Sequence, residues 1–462
     1  MSGEMDNADT KQLVRPILGV QEWLQPGAQQ CVETLLADLR ALNVRELRMG
    51  FSWADWHTKE DRAWYEWLLP RLASEVNVTL YFPFASPRLE LQSKAYARPR
   101  NPRDYADFLD LIITGLSEHF TSIELWNECN NINGWSWRLD PEWKNFYEMI
   151  GAAAYRAKQH GKKTLLSGMA PMNPHWLESL CERGVIEHID AVGVQGFPGT
   201  REFDWYDWRE PIGKLRDMLR HHGLDPEIWI TATGYSTWRY DEIRQLCMFD
   251  EVLQAPVERI YWYSFYDLHL DQCHQPGFHE DERHYHFGLK NAHGKPKLLY
   301  RTWANEGIEG VRALAVLGRF TGANLPQDVT TRQPAKRAKV RRSTLITGGA
   351  GFIGINLAAR LLADKRDVLI FDNLCRPGVE QNLRWLCDTY GNGLQVEIAD
   401  IRDPCLLRKA VQNATQVFHL AAQVAVTTSL ETPLEDFDIN VRGTLNVLEV
   451  MRGMDDPPAL VF

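Results

Sequence analysis

Short apolar runs alternate with amphipathic stretches from the start of the chain to about residue 305. Runs rich in Val, Ile and aromatic residues predict strands over Pro16–Val20, Glu46–Trp53, Val78–Phe84, Ser122–Trp126, Thr164–Gly168, Ala191–Gln195, Ile228–Thr233 and Arg259–Phe265. Between them, apolar residues at helical spacing predict helices that include Cys31–Leu42, Arg103–His119, Pro141–His160 and Glu242–Leu253, with a last helix over Lys297–Asn305. Eight consecutive strand units predict a parallel (β/α)8 barrel, which closes at eight strands and typically takes ~250 residues. A doubly wound open sheet is the competing arrangement, but it leaves sheet edges that eight consecutive units do not require. In such a barrel the chemistry belongs at the C-terminal ends of the strands.

The pattern breaks over residues 319–342, where Pro, Gly and Thr cluster with a basic run of Arg332, Lys336, Arg337, Lys339, Arg341 and Arg342. This reads as a solvated linker rather than a nuclear-localisation or nucleic-acid signal. Beyond it come a strand (Thr344–Ile346), a glycine loop, a helix (Phe352–Ala363) and a strand (Val368–Phe371). Further strands are predicted over Leu394–Glu397, Gln416–Leu420 and Ala459–Phe462, a half-Rossmann arrangement. The expected class is therefore α/β: a TIM barrel followed by a partial Rossmann-like parallel sheet. The expected division is a flexible N-terminus (1–14), barrel (15–318), linker (319–342) and dinucleotide domain (343–462).

Composition narrows the function classes. Of 462 residues, 44% are hydrophobic and 24% charged, as in ordinary globular proteins. No run of 18 apolar residues exists, and the polar start lacks a signal-peptide core, so a cytoplasmic protein without membrane association is expected. The net charge of −10 argues against nucleic-acid binding. None of the eight cysteines forms a CxxC pair, which predicts free thiols. His274, His279, Glu280, Asp281, His284 and His286 match no zinc spacing, so no metal is expected. All but Trp385 of the 17 tryptophans precede residue 304. Such rings either stack on sugars or pack the interior.

The fourth strand ends in Glu124-Leu125-Trp126-Asn127-Glu128. In that place the run resembles the acid/base motif of the (β/α)8 clan of retaining glycoside hydrolases that holds β-xylosidases, β-glucosidases and cellulases. The resemblance implies that Glu128 protonates the leaving oxygen and later activates water, while Asn127 hydrogen-bonds the sugar 2-hydroxyl. Such cleavage does need one carboxyl kept protonated near neutral pH and a hydroxyl contact that tightens in the transition state. It also implies that Arg48 orients the nucleophile and that Trp262, in the eighth strand, lies under the sugar. Trp53, Trp56 and Trp135 are candidates for the cleft rim, and Tyr235 for a substrate contact. The implied partner is an oligosaccharide or glycoside, with exo-attack on β-glycosides.

The seventh strand departs from the pattern. It reads Thr231-Ala232-Thr233, with alanine where relatives carry the nucleophilic glutamate. A methyl group cannot attack an anomeric carbon, and retention needs two carboxyls ~5–5.5 Å apart. Three readings stay open: a deliberate replacement, a natural sugar-binding pseudo-glycosidase, or another carboxylate, with Asp204, Glu210, Asp241, Asp267 and Asp271 near the predicted mouth. In the sixth strand Gln195 stands near where the clan has a tyrosine or histidine.

After the linker, Thr347-Gly348-Gly349-Ala350-Gly351-Phe352-Ile353-Gly354 follows a strand and opens a helix. Glycines there permit a tight turn and close approach of a pyrophosphate to the helix N-terminus. The unit resembles extended short-chain dehydrogenases, especially nucleotide-sugar epimerases. That resemblance implies NAD, with Gly348, Gly351, Phe352, Ile353 and Gly354 at the pyrophosphate and Asp372 on the ribose. It puts Asp400 and Ile401 at the adenine, and Ala421 and Ala422 along the cofactor. The family's Ser/Thr and Tyr-x-x-x-Lys come after its fifth strand, so an epimerase lacking its catalytic half is the reading from a second class. The barrel itself implies no cofactor.

Overall fold

In a computed structural model that describes residues 15–53, 56, 58–82, 99, 101–131, 134–202, 207–269, 281–320, 342–391 and 393–462, eight strands close a parallel barrel in chain order. They are β1 (Ile17–Glu22), β2 (Glu46–Gly50), β3 (Asn77–Tyr81), β4 (Ser122–Leu125), β5 (Lys163–Met169), β6 (Ala191–Gly196), β7 (Glu227–Thr233) and β8 (Arg259–Tyr263). The expected strands are all present, with ends shifted by a few residues. Helices α1 (Gln29–Ala41), α2 (Lys59–Ala73), α3 (Pro102–Leu116), α4 (Lys144–Gln159), α5 (Pro174–Glu182), α6 (Arg209–His221), α7 (Glu242–Val252) and α8 (Leu298–Phe320) alternate with them. The last runs well beyond the expected Asn305, with a break in helical geometry at Gly307.

Local chemistry sets the helix starts. Asn101 and Asn173 accept from the backbone N–H groups of Arg103 and Trp176, each with proline at the first helical position. On α3 the buried residues Tyr105, Phe108, Leu109, Ile112, Ile113 and Leu116 fall at helical spacing and form one apolar stripe.

The barrel interior follows from strand alternation. On β8, Arg259 pairs with Glu46 of β2 and lies 4.4 Å from the Trp229 ring centre. The Tyr261 hydroxyl reaches across to Thr79 of β3 at 2.8 Å. Arg259, Tyr261 and Tyr263 are therefore the inward residues of β8. Leu165, Ala191, Trp229 and Tyr261 form one buried cluster in this interior.

By compactness the chain divides into two units: residues 1–234 with 251–265, and residues 235–250 with 266–462. The second contains a five-stranded parallel sheet of order β11-β10-β9-β12-β13. Its strands are β9 (Ser343–Thr347), β10 (Val368–Asp372), β11 (Leu394–Ile398), β12 (Ala414–His419) and β13 (Ala459–Val461). They are linked by α9 (Phe352–Ala363), α10 (Val379–Tyr390), α11 (Pro404–Gln412), α12 (Val426–Glu431), α13 (Pro433–Phe437) and α14 (Gly443–Arg452). Strand order reverses between β9 and β12, where doubly wound sheets bind ligands. Leu345, Phe371, Leu407, Val411, Val417 and Val447 pack one face of this sheet. Among the described residues no helix is long and apolar enough to cross a membrane, and the seven described cysteines are free. The expected N-terminal arm and residues 321–341 of the linker lie outside the described residues.

Candidate functional site

At the C-terminal end of β4 the backbone turns through left-handed conformations at Trp126 (φ 77°) and Glu128 (φ 45°). Such conformations cost about 1–3 kcal/mol each for non-glycine residues and persist only where neighbours hold them. The holding contacts are specific. Trp126 N–H donates to the Tyr105 hydroxyl at 3.0 Å, and its indole N–H to the Gly134 carbonyl at 2.7 Å. Asn131 then donates its amide to Glu128 Oε2 at 2.9 Å and to the Ala170 carbonyl at 3.0 Å. Glu128 is half-buried, with its carboxylate aimed by that amide.

Beneath it lies a charged core. Arg48 donates to Glu124 twice, at 2.6 and 2.8 Å, and both side chains are buried. Glu124 also accepts from Gly168 N–H at 3.1 Å, and Arg48 donates to Asn127 Oδ1 at 3.3 Å. The guanidinium stacks 3.8 Å from the Tyr81 ring centre, whose hydroxyl accepts from Gln21 at 3.3 Å. Burial alone would pull the Arg48 pKa down, but the Glu124 charge and hydrogen bonds hold it above its ordinary value. Burial pushes the Tyr81 phenol up to about 12, with Arg48 opposing. Asn127 thus has its oxygen committed to Arg48, which fixes its amide orientation.

Ala232 owes its orientation to an irregularity in β7. Val194 pairs with Ile230, but Gln195 pairs with Ala232, so β7 carries one extra residue against β6. The same insertion separates Ile230↔Ile260 from Thr233↔Trp262 against β8. A bulge of this kind re-aims the residues that follow it. Trp229 faces the interior, and after the bulge Ala232 takes the same phase as Gln195. Both are buried.

Other expected residues fall elsewhere. Trp53 is stacked on Phe108, with ring centres 5.0 Å apart. Trp135 packs edge-on against Trp126 at 6.0 Å and Phe146 at 5.1 Å, and Trp56 lies against Phe51 at 5.4 Å. All three are at most 6% exposed, so they are packing residues and not a rim. Trp262 is buried, and alternation from Tyr261 puts it in the outward phase of β8. The half-buried Tyr263 takes the inward place, where desolvation raises its phenol pKa, with Glu22 and Glu128 adding to the shift and Arg201 opposing it. Tyr235 donates its hydroxyl to Asp241 at 2.9 Å and is buried.

The alternative carboxylates are also committed. Glu210 is exposed and bonds Lys214 at 2.7 Å, Asp241 holds Tyr235, and Asp267 pairs with Lys297 at 2.6 Å. Asp204 and Asp271 lie outside the described residues. Sequence reasoning missed Glu124, Tyr81 and Tyr263. The usable signal was parity: each shares the inward phase of its strand, and Glu124 is a charge inside an apolar run.

In the second unit the glycine loop joins β9 to α9. Gly348 has φ 66°, and a Cβ there would stand 2.7 Å from Ala421 N. A Cβ on Gly354 would meet the Gly348 carbonyl at 2.4 Å. Glycine is therefore required for the turn and for close packing of α9 on the sheet. Gly351 caps α9 on its N-terminal side, leaving Phe352 (83% exposed) and Ile353 (67%) open at the first turn. Asp372 accepts from Ala350 N–H at 3.0 Å and Leu374 N–H at 2.8 Å. Burial pushes its carboxyl up despite these bonds. Asp400 is buried and bound by Arg402 and Asn373; burial works against its charge, but Arg402 holds its pKa below the ordinary value. Ile401 is also buried, Ala421 is partly buried and Ala422 exposed.

Among the described residues no three His, Cys, Asp or Glu side chains gather as a metal site. His274, His279 and Glu280 lie outside the described residues, and Asp281 bonds Arg283 at 2.9 Å.

Comparison with known proteins separates the two parts. One solved structure, a family 39 glycoside hydrolase from the gut symbiont Bacteroides cellulosilyticus WH2, superposes with a TM-score of 0.48 at 17% identity, covering 63% of each chain. Residues 345–462 match the family model of GDP-mannose 4,6 dehydratase. CDP-paratose 2-epimerase of Salmonella typhi is 46% identical over 110 residues, which is 23% of this chain and 32% of that protein. A putative UDP-glucose 4-epimerase of Methanocaldococcus jannaschii is 42% identical over 112 residues, 24% and 34% of the two chains. The chain spans about a third of the length of these curated relatives. Residues 345–462 thus resemble part of the NAD-dependent nucleotide-sugar epimerases and dehydratases.

Proposed function

We propose that residues 15–318 are a glycoside-binding barrel of the retaining-hydrolase type, with Glu128 as acid/base and its nucleophile position filled by Ala232. The observation that carries this reading is the β7 bulge. It turns residue 232 inward in register with Gln195, at the end of the strand where a nucleophile is required, while Asn127 and Glu128 occupy the end of β4. In a complete site a carboxylate would attack C1 as the acid protonates the departing oxygen. Here Glu128 can give its proton to that oxygen and Asn127 can donate to a sugar hydroxyl, but no covalent glycosyl intermediate can form at a methyl group.

A second reading, a sugar-binding protein without turnover, is favoured by the Arg48–Glu124 pair. The cation expected to face the nucleophile is already neutralised, so alanine at 232 leaves no unpaired buried charge. Ala232→Glu separates the two. Hydrolysis of a panel of nitrophenyl β-glycosides should rise by about 10³-fold or more, given what loss of a nucleophile costs enzymes. With azide, the unsubstituted protein should yield glycosyl azide: azide attacks C1, the aglycone leaves, and Glu128 supplies its proton. No turnover in either experiment sinks the hydrolase reading. Retained binding of glycosides would then support the second.

For residues 343–462 we propose NAD binding. The loop fits the group: Gly348 and Gly354 permit the tight turn and the close packing of α9 on the sheet, and a helix N-terminus set that way favours a pyrophosphate. Asp372 is the group to accept from ribose hydroxyls, Asp400 and Ile401 to flank the adenine, and Ala421 and Ala422 to line the path of the nicotinamide half. When bound, NAD supplies hydride transfer. Isothermal titration of the full chain with NAD tests this, and absence of binding removes it.

A further inference from the structure

Among the described residues, the barrel mouth contains a cation that the reaction above does not use. Arg201 lies in the turn directly after β6, where its backbone N–H donates to the Phe197 carbonyl at 2.9 Å. Its guanidinium sits 4.5 Å from the Phe197 ring centre. That ring packs edge-on against Tyr263 at 5.9 Å, and Tyr263 is the inward residue at the end of β8. Burial pushes the Tyr263 phenol up, the charges of Glu22 and Glu128 act the same way, and Arg201 opposes them.

Among the described residues the Arg201 side chain has no hydrogen-bond acceptor and no carboxylate partner, and its Nε is buried without a bond. Buried and half-buried arginines are normally paired, because their donors lose water on folding and need acceptors. Arg48, by contrast, is paired with Glu124, and Glu128 accepts from the Asn131 amide. A planar fork of donors left open among the described residues beside a sugar site suits an oxyanion, above all a carboxylate engaged by two parallel hydrogen bonds.

We propose that Arg201 is a specificity-determining residue that binds the carboxylate of a uronic acid unit in the glycoside. This rests on the glycoside reading of the barrel and names its substrate class. A phosphate on the sugar would offer the same charge, and the experiment separates the two.

The full chain is titrated calorimetrically with a methyl β-uronide, the matching neutral methyl β-hexoside and the hexose 6-phosphate. The uronide should bind about 10- to 100-fold more tightly than the neutral sugar, as for a charge-assisted hydrogen-bonded pair. In Arg201→Ala the uronide-to-neutral ratio should fall to about one, and Arg201→Lys should restore only part of it, since an ammonium lacks the fork. Thermal melts identify any variant that misfolds, and the wild-type ratio alone still decides the matter. Equal binding of uronide and neutral sugar, or tighter binding of the 6-phosphate, overturns the inference and leaves the glycoside reading standing. Failure of all three ligands overturns that reading as well.

Discussion

Substitutions in the Arg48–Glu124 pair have opposite expected outcomes when made singly and together. Both side chains are buried, and Arg48 cannot shed its proton to escape an unpaired state. Glu124→Gln keeps the shape of the side chain but removes its charge, so a buried cation stands uncompensated. Removing one partner of such a pair costs about 3–5 kcal/mol. Replacing both by apolar side chains, as in Arg48→Met with Glu124→Leu, is neutral or stabilising by about 1–4 kcal/mol. The assay is urea unfolding followed by tryptophan emission, since all but one of the 17 tryptophans precede residue 304. With a slope of roughly 2–3 kcal/mol per M, Glu124→Gln should lower the midpoint by about 1–2 M. The double variant should recover most of that loss. Because Arg48 also bonds Asn127, the double variant should lose glycoside affinity even while it regains stability. If the double variant loses as much as the sum of the single ones, the two charges are not coupled and the reasoning fails.

Two further outcomes concern the second unit. Gly354→Ala puts a methyl within 2.4 Å of the Gly348 carbonyl. It should destabilise the unit by about 1–3 kcal/mol and abolish NAD binding, both read by calorimetry. Unchanged NAD affinity would mean that the glycine turn does not hold the cofactor. Glu397, on the edge strand β11, has its pKa raised from 4.5 to about 7, by burial against a weaker opposing effect of Lys409. A carboxyl raised on folding contributes stability that is fully present below about pH 4.5 and lost as pH rises through about 7. That shift corresponds to about 3 kcal/mol at 1.36 per unit, and partial exposure reduces it to roughly half or less. Glu397→Gln should therefore gain on the wild type between pH 4.5 and 7 and stay more stable at pH 8, by urea unfolding at each pH. A constant difference across that range would refute the assignment.

The sequence by itself determined the elements and their class. Short apolar runs rich in β-branched Val and Ile favour strands, eight of them with helices between close a barrel, and a glycine loop between strand and helix admits few conformations. It also located Glu128, Asn127 and Arg48 near one another, because strand ends on one face of a barrel converge whatever the intervening length. Tertiary structure alone decided which way side chains point and what they meet. The bulge in β7 depends on register with two neighbours, so the inward turn of Ala232 was invisible along the chain. Parity within β8 moved the inward aromatic from Trp262 to Tyr263, and only the contact of Tyr261 with Thr79 fixes that parity. Trp53 and Trp135 read equally well as sugar platforms or as core, since burial is a property of what packs around a ring and not of the ring. Glu124 became the partner of Arg48 for the same reason: a charge seventy-six positions away in sequence is adjacent only once the barrel closes.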